Sequence, residues 1–408
     1  MIQRPHRRWT AVCPAHPRPW TRSALLAFVT VLFLQAGRAQ AQDHQHGATS
    51  PSPAGWTWTW QASASVNLNI QERKFTDFRQ MESQNWFMAG GDRALGRSTV
   101  RLHAMASLEP FTLRRLGSAQ VFQTGETLDG APLIDYQHPH DLFMTLEGTL
   151  EHPVWESARV FVSAAPVGAA TFGPPAFMHR ASALGNTTAP LTHHHLDSTH
   201  ISRSVIATGI AFPRGTLELS VFKGREPDED RLDVDLGAPD SAALRWSWRQ
   251  AGWAGQVSIA RRRQPEVLDP HDVTAATASL ERTTTWLGRP LTWLLAVGRH
   301  ADPLDRSAGF LVEGTWQTAA RSLVYARGEI AGKNILTAGG LHPPGAEHEH
   351  TISTIGALTV GVERSLAVTR AGHFAIGGDV TVHAVPAALL DSYGHPVSMH
   401  IGLRYRRP

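Results

Sequence analysis

"WTWTWQASASVNLNI", residues 56–70, alternates apolar and polar side chains without an exception. Trp56, Trp58, Trp60, Ala62, Ala64, Val66, Leu68 and Ile70 take one parity; Thr57, Thr59, Gln61, Ser63, Ser65, Asn67 and Asn69 take the other. Successive side chains of a strand point to opposite faces, so this ribbon has one greasy face and one wet face. The fold depends on what covers the greasy face: a second layer of protein, or lipid.

The same dyad recurs to the end of the chain. Leu217, Leu219 and Val221 alternate with Glu218 and Ser220; Leu358, Val360 and Val362 with Thr359 and Glu363. The last segment sets Val397, Met399, Ile401, Leu403 and Tyr405 against Ser398, His400 and Arg404. About fourteen to sixteen such segments can be counted, and no stretch of helical period competes with them. Polar connections are short in places (212–216, 250–252) and long in others (about 165–197 and 331–352). That asymmetry, the charged and hydroxylated second faces, and Trp or Tyr near strand ends predict an antiparallel transmembrane β-barrel with lipid on the apolar face. A soluble all-β sandwich is the competing architecture.

Residues 1–41 carry six of the 38 Lys and Arg, no acid, and the apolar run "ALLAFVTVLFLQAG" (24–37) ahead of Ala39 and Ala41, which reads as a cleaved export signal. Without it, 32 basic face 35 acidic side chains, a net of −3, so nothing asks for a nucleic-acid partner. The only cysteine, Cys13, leaves with the signal, which excludes disulfides and thiolate chemistry. Residues 42–55 read as a flexible histidine-containing leader, and 56–408 as the barrel. Those 367 residues over sixteen strands give each strand about 23 with its share of loop, ample when a spanning strand needs about 9–11.

The segments "DYQHPHDLFM" (135–144), "PVGAATFGPPAFMHRASA" (166–183), "HHHLDSTHIS" (193–202) and "VFKGREPDEDR" (221–231) resemble motifs of an uncharacterised family of Gram-negative outer-membrane β-barrel proteins. The resemblance implies an exported barrel in the outer membrane and supplies no substrate.

Histidine is the residue type used to excess, with 22 in the chain. His138 and His140 stand beside Asp141; His193, His194 and His195 precede Asp197 and His200; His342, His348 and His350 accompany Glu347 and Glu349. Imidazole with carboxylate is a donor set for Cu or Zn. His138, His140, Asp141, His193, His194, His195, Asp197 and His200 are therefore candidate metal ligands, and hydrogen-bonded structural histidines are the other reading. The segment 166–197 is too long for a turn. We expect it to fold into the lumen, with His179 and Arg180 facing walls that carry Arg101, His103, Arg327, Glu329 and His383; an extracellular cap is the alternative. No HExxH, P-loop or nucleophile elbow is present, and an enzyme is not expected. The function expected is a porin-like channel for small polar solutes, with transition-metal binding or efflux as the alternative. Expected partners are outer-membrane lipid, the barrel-assembly machinery and the solutes or metal ions, with oligomerisation open.

Overall fold

The computed structural model describes residues 55–336 and 351–407. Sixteen antiparallel strands close into one barrel. They are β1 Thr57–Arg73, β2 in two pieces (Thr76–Glu82 and Asn85–Leu95), β3 Ser98–Ala106, β4 Phe143–Trp155, β5 Ala158–Gly168, β6 Ser202–Phe212, β7 Gly215–Lys223 and β8 Ser241–Gln250. They continue with β9 Trp253–Arg262, β10 Val273–Trp286, β11 Arg289–Ala301, β12 Arg306–Ala319, β13 Ser322–Lys333, β14 Ser353–Thr369, β15 Gly372–Ala384 and β16 Val397–Arg407. Each strand pairs with its sequence neighbours, and β16 returns to β1 with Ala62 opposite Arg407 and Glu72 opposite Val397. Closure leaves no unpaired edge, which is what a sheet in hydrocarbon requires. Both pieces of β2 pair with β1, and the break at Ser83–Gln84 is bridged by the Ser65 amide donating to the Gln84 carbonyl at 2.9 Å.

Burial answers the question posed by residues 56–70, and the answer is inverted relative to a soluble protein. Val66 and Leu68 are 51% and 38% exposed, whereas Asn67 and Asn69 between them are 0% exposed. The inversion repeats around the barrel. Leu217, Leu219, Val257, Ile259, Val297, Val312, Val360 and Ile401 face outward; Glu218, Ser220, Gln256, Ser258, Glu313, Glu363 and His400 face inward. Apolar outside and polar inside is the arrangement of a barrel solvated by lipid.

The two ends differ. At one end all seven connections are two residues long: 96–97, 156–157, 213–214, 251–252, 287–288, 320–321 and 370–371. Ala251–Gly252 and Leu287–Gly288 have both φ angles positive (50° and 78°, 50° and 71°), the condition for the tight hairpin that matches strand twist. Aromatic rings gather at this turn end. Trp253 meets Trp293 at 5.6 Å, Trp286 meets Trp316 at 4.3 Å, and Phe374 meets Tyr405 at 5.0 Å between ring centroids. Such rings favour the membrane–water boundary. The other end carries the 74–75 turn, the loops 107–142, 169–201, 224–240, 263–272, 302–305 and 385–396, and the described flanks 334–336 and 351–352 of the connection between β13 and β14. The loop expected at 166–197 thus begins and ends a few residues later, because β5 continues to Gly168.

Two of these loops occupy the interior. Loop 107–142, which the dyad pattern does not announce, lies against β1. Asn69 Nδ2 donates to the Ala119 carbonyl at 2.8 Å, and Gln71 Oε1 accepts from the Val121 amide at 3.2 Å. Its Val121 and Phe122 form a loop-end core with Leu191, Ile355, Leu389 and Tyr393.

Candidate functional site in the barrel lumen

Loop 169–201 crosses the lumen from the β7–β9 wall to the β12–β16 wall. On the first wall no loop charge meets a wall charge: Arg245 Nη1 donates to the Gly173 carbonyl at 3.2 Å and Arg262 Nη1 to Ser198 Oγ at 3.3 Å, and the other anchors are neutral. Thr171 Oγ1 donates to the Ala243 carbonyl at 3.1 Å, and the Gly173 amide donates to Ser258 Oγ at 2.9 Å. Gly173 has φ 75°, and a Cβ there would stand 1.9 Å from the Leu196 carbonyl oxygen, so the doubling-back of the loop requires glycine.

On the second wall the anchors are charged. Arg180 Nε donates to Glu313 Oε1 at 2.7 Å and its Nη1 to Asp197 Oδ2 at 3.0 Å. Ser182 Oγ donates to the same Glu313 oxygen at 3.0 Å, and Arg327 Nε to the other at 3.1 Å. Glu329 Oε1 accepts from both the amide and the hydroxyl of Thr192 at 3.0 Å. Further along, Arg404 Nη1 donates to the Gly185 carbonyl at 2.6 Å while pairing with Glu363 at 3.1 Å. No side chain fits at Gly185, where a Cβ would meet the Tyr325 ring at 2.1 Å. Buried charges need partners of this quality to be tolerated.

Of the residues expected at a constriction, Arg180, Arg327 and Glu329 therefore meet in one network, joined through Glu313. Arg101 and His103 lie on the opposite side of the lumen, where Arg101 pairs with Asp92 at 2.9 Å and Glu151 at 3.1 Å. His179 packs on Trp86 at 4.8 Å between centroids. His383 belongs elsewhere: its ring meets Phe122 at 5.3 Å in the loop-end core, and its Nδ1 donates to the Pro396 carbonyl at 3.2 Å. It is the reach of Phe122, from the second inward loop, that separates it from Arg180.

Space remains on the other side of the loop. A cavity of about 590 Å³ lies between Pro174–Ala176 and the wall bearing Asp92, Arg101, Glu147, Glu218 and Arg245, and it reaches the turn residues Pro213 and Arg214. A second, of about 390 Å³, extends from Arg406 and Arg407 to Gln137, His138 and His140 at the loop end. Gln61, Pro175 and His179 line both and so form their common boundary.

The two histidine clusters, 53 positions apart at their nearest, meet where the two inward loops touch. His140 and His200 stand 5.5 Å apart between centroids, His193 and His200 5.1 Å, and His193 and His194 5.7 Å. His193 Nδ1 donates to Asp197 Oδ1 at 2.7 Å and His140 Nδ1 to Glu109 Oε2 at 2.8 Å; His138 Nδ1 lies 2.8 Å from Glu126. His195 is set apart from this group, against His300 at 5.1 Å and Ser307 at 3.0 Å. Asp141 is set apart too, paired with Arg203 and Arg231. Burial, with His193 and His140 alongside, pulls the His200 imidazole down to about 3; burial, with Lys333 and His194 nearby, does the same to His195. Burial also holds His138 well below the usual imidazole value. The histidines 342, 348 and 350, like 44 and 46, lie outside the described residues.

Sequence reading missed Glu313, Glu109 and the Glu363–Arg404–Asp379–His400 network. Glu313 carried one usable signal, its place as an inward carboxylate in the dyad of β12. Glu109 carried none, because its partner is 31 residues away.

No protein-family model matches the sequence, and no curated protein matches it. Solved structures do match in fold. An anion-selective porin from Comamonas acidovorans superposes with a TM-score of 0.52 at 9% identity, over 86% of this chain and 100% of that chain. OprB of Pseudomonas putida, in a high-pH structure, gives 0.55 at 9% identity over 86% and 94%. OmpF of Salmonella typhi, in complex with daunomycin, gives 0.53 at 8% identity over 86% and 97%. At such identities the likeness is one of fold: a closed sixteen-stranded antiparallel barrel.

Proposed function

We propose that the protein is a non-enzymatic channel of the Gram-negative outer membrane, passing small polar solutes through a lumen narrowed by loop 169–201. The observation that carries this reading is the inverted burial, with polar side chains lining an interior that holds two neighbouring cavities. The porin fold of the compared structures supports it, as does the N-terminal stretch read as an export signal. Outer-membrane lipid and the barrel-assembly machinery are its partners under this reading.

Two arginines on the wall of the larger cavity are paired by carboxylates. Arg101 is matched by Asp92 and Glu151, and Arg245 by Glu218 at 2.9 Å. The boundary of Gln61, Pro175 and His179 bears no permanent charge. Rings of unmatched charge select ions by sign; matched charge and a neutral boundary favour uncharged polar solutes. The experiment is conductance in planar bilayers, with liposome swelling in sugars, on chain refolded in detergent. Discrete conductance steps and swelling support the reading. A chain that is monomeric and folded in buffer without detergent, or a barrel that inserts and stays silent in both assays, overturns it.

A further inference from the structure

The outer wall is apolar over most of its surface, and at the loop end one sector departs from that rule. A single register row crosses β6 to β12 there. It is uncharged at Ile206, Val221 and Ala242, reaches Arg261 on β9, and passes Thr274 and Ala301 to Arg306 on β12. Arg299 on β11 stands opposite Ala308, one outward step closer to the turns, and so diagonal to Arg306. The three arginines are exposed and share the outward parity of Ile259, Val297 and Phe310.

Their charge is not cancelled locally. Arg261 reaches Asp272 Oδ2 at 3.1 Å and Thr274 Oγ1 at 3.0 Å. Arg299 and Arg306 make no hydrogen bond or ion pair among the described residues. The adjoining loop 302–305 turns its acids away from them: Asp302 Oδ1 accepts the amides of Leu304 and Asp305 at 2.7 Å, and Asp305 is buried. Another outward arginine at this end, Arg79 on β2, has exposed acids beside it, Glu72 and Asp77.

Strand length sets the depth of the patch. Arg289, outward at the turn end of β11, and Arg299 are separated by the outward residues Leu291, Trp293, Leu295 and Val297. The ten residue steps between the arginines cover about 33 Å of strand, or about 25 Å of height at a tilt of about 40°, which is the height of the lipid-facing band of an outer-membrane barrel. The long loops of such barrels lie outside the cell, so Arg299 marks the headgroup level of the outer leaflet. Guanidinium groups take phosphate in bidentate fashion. Arg299 and Arg306 are roughly 7 Å apart as diagonal neighbours and can share one phosphate. Arg261 lies three strand spacings from Arg306, about 14 Å, which calls for a second phosphate on the same headgroup. We propose that Arg261, Arg299 and Arg306 form an outward docking surface for a glycolipid of the outer leaflet that carries two phosphates. This rests on the outer-membrane reading above and does not require conduction.

The probe is lipid A, an acylated glucosamine disaccharide bisphosphate. Full chain folded in detergent is mixed with it, and retention is read by native mass spectrometry. The expected result is one lipid A per barrel, held more tightly than its monophosphoryl form and far more tightly than its dephosphorylated form. The variant Arg261→Gln, Arg299→Gln, Arg306→Gln weakens retention roughly 100-fold, as three arginines at an anionic headgroup should. The variant Arg79→Gln, Arg289→Gln leaves it unchanged. Unchanged retention in the triple variant, an equal loss in the control variant, or equal retention of the three lipid forms overturns the proposal. So does equally tight binding of phosphatidylglycerol or inorganic phosphate, or an assembly of barrels that covers the arginines and excludes lipid A. Unheated gel mobility reports folding; if the triple variant does not fold, the three lipid forms on the wild type decide. A chain that forms no barrel in detergent fails the outer-membrane reading, whereas one that folds and inserts yet treats the three lipids alike fails this proposal alone.

Discussion

Replacing Glu313 by Gln tests whether the inward loop is seated by charge. The carboxylate accepts from Arg180 Nε at 2.7 Å, Ser182 Oγ at 3.0 Å and Arg327 Nε at 3.1 Å, and its side chain is fully buried. Glutamine keeps the shape and removes the charge. Arg180 then keeps Asp197 at 3.0 Å, Arg327 loses the carboxylate it pairs with and has only the field of Glu329, and the new amide NH₂ must face one of the two guanidinium groups. Breaking a buried pair from one side costs about 3–5 kcal/mol. At about 1.4 kcal/mol per factor of ten, the undocked population of residues 176–192 rises roughly 10²- to 10³-fold. Hydrogen exchange read by mass spectrometry in detergent reports it directly. Amides of that segment lose protection by this factor, those of β9 to β11 keep theirs, and conductance in bilayers rises. Adding Arg180→Met recovers part of the protection, because an apolar pair of similar volume replaces a broken ionic one. The reasoning is refuted if loop exchange in Glu313→Gln equals that of the wild type, or if loop and strands lose protection together.

Two further substitutions separate the lipid face and the backbone. Val360→Arg, at the middle of β14 on an outward position, lowers stability by about 2–4 kcal/mol in urea titrations from lipid vesicles; an unchanged midpoint would place water outside the barrel. Gly173→Ala strains a φ of 75° and drives a Cβ against Leu196, so proteolysis of loop 169–201 accelerates and the melting temperature falls. Gly288→Ala, φ 71° in open space, costs only the backbone part, about 1–2 kcal/mol, and leaves the loop as it was; equal loop proteolysis in the two variants would refute the steric argument.

The barrel was legible because its signal is local. A strand declares its two faces every second residue, so Val66 and Leu68 against Asn67 and Asn69 suffice to define the ribbon. Composition alone leaves open which face is inside; the charged character of the polar face, repeated strand after strand, tips the choice. The loops were legible only in part. Length and glycine–proline content expose loop 169–201, whose Arg180 donates to Glu313 of the wall. Loop 107–142 hides because Val121, Phe122 and Leu133 make it resemble further strand, while its contacts with Asn69 and Gln71 span about fifty positions. The meeting of His140 with His193 and His200 is likewise tertiary. Each cluster is visible in sequence, but their junction depends on two loops entering the same lumen from different strands. His383 packs against Phe122 for the same reason, a contact that arrives from the unseen loop.

The position of the free volume follows from which charges the wall leaves for the loop. On β12 to β16 the inward charges are spent across the gap: Glu313 on Arg180, Glu329 on Thr192, Arg327 on the Thr188 carbonyl and Arg404 on that of Gly185. On β2 to β8 Arg101 is satisfied within the wall by Asp92, while Arg245 pairs with Glu218 and also donates to the Gly173 carbonyl at 3.2 Å; otherwise the loop there is held by hydroxyls and backbone. A loop drawn to one wall by buried ion pairs leaves the larger share of its room beside the other. That is where the cavity of about 590 Å³ lies. The asymmetry of pairing along the strands therefore sets the side of the barrel on which the larger free volume lies, and under the channel reading the side a solute takes; Glu313→Gln weakens that asymmetry.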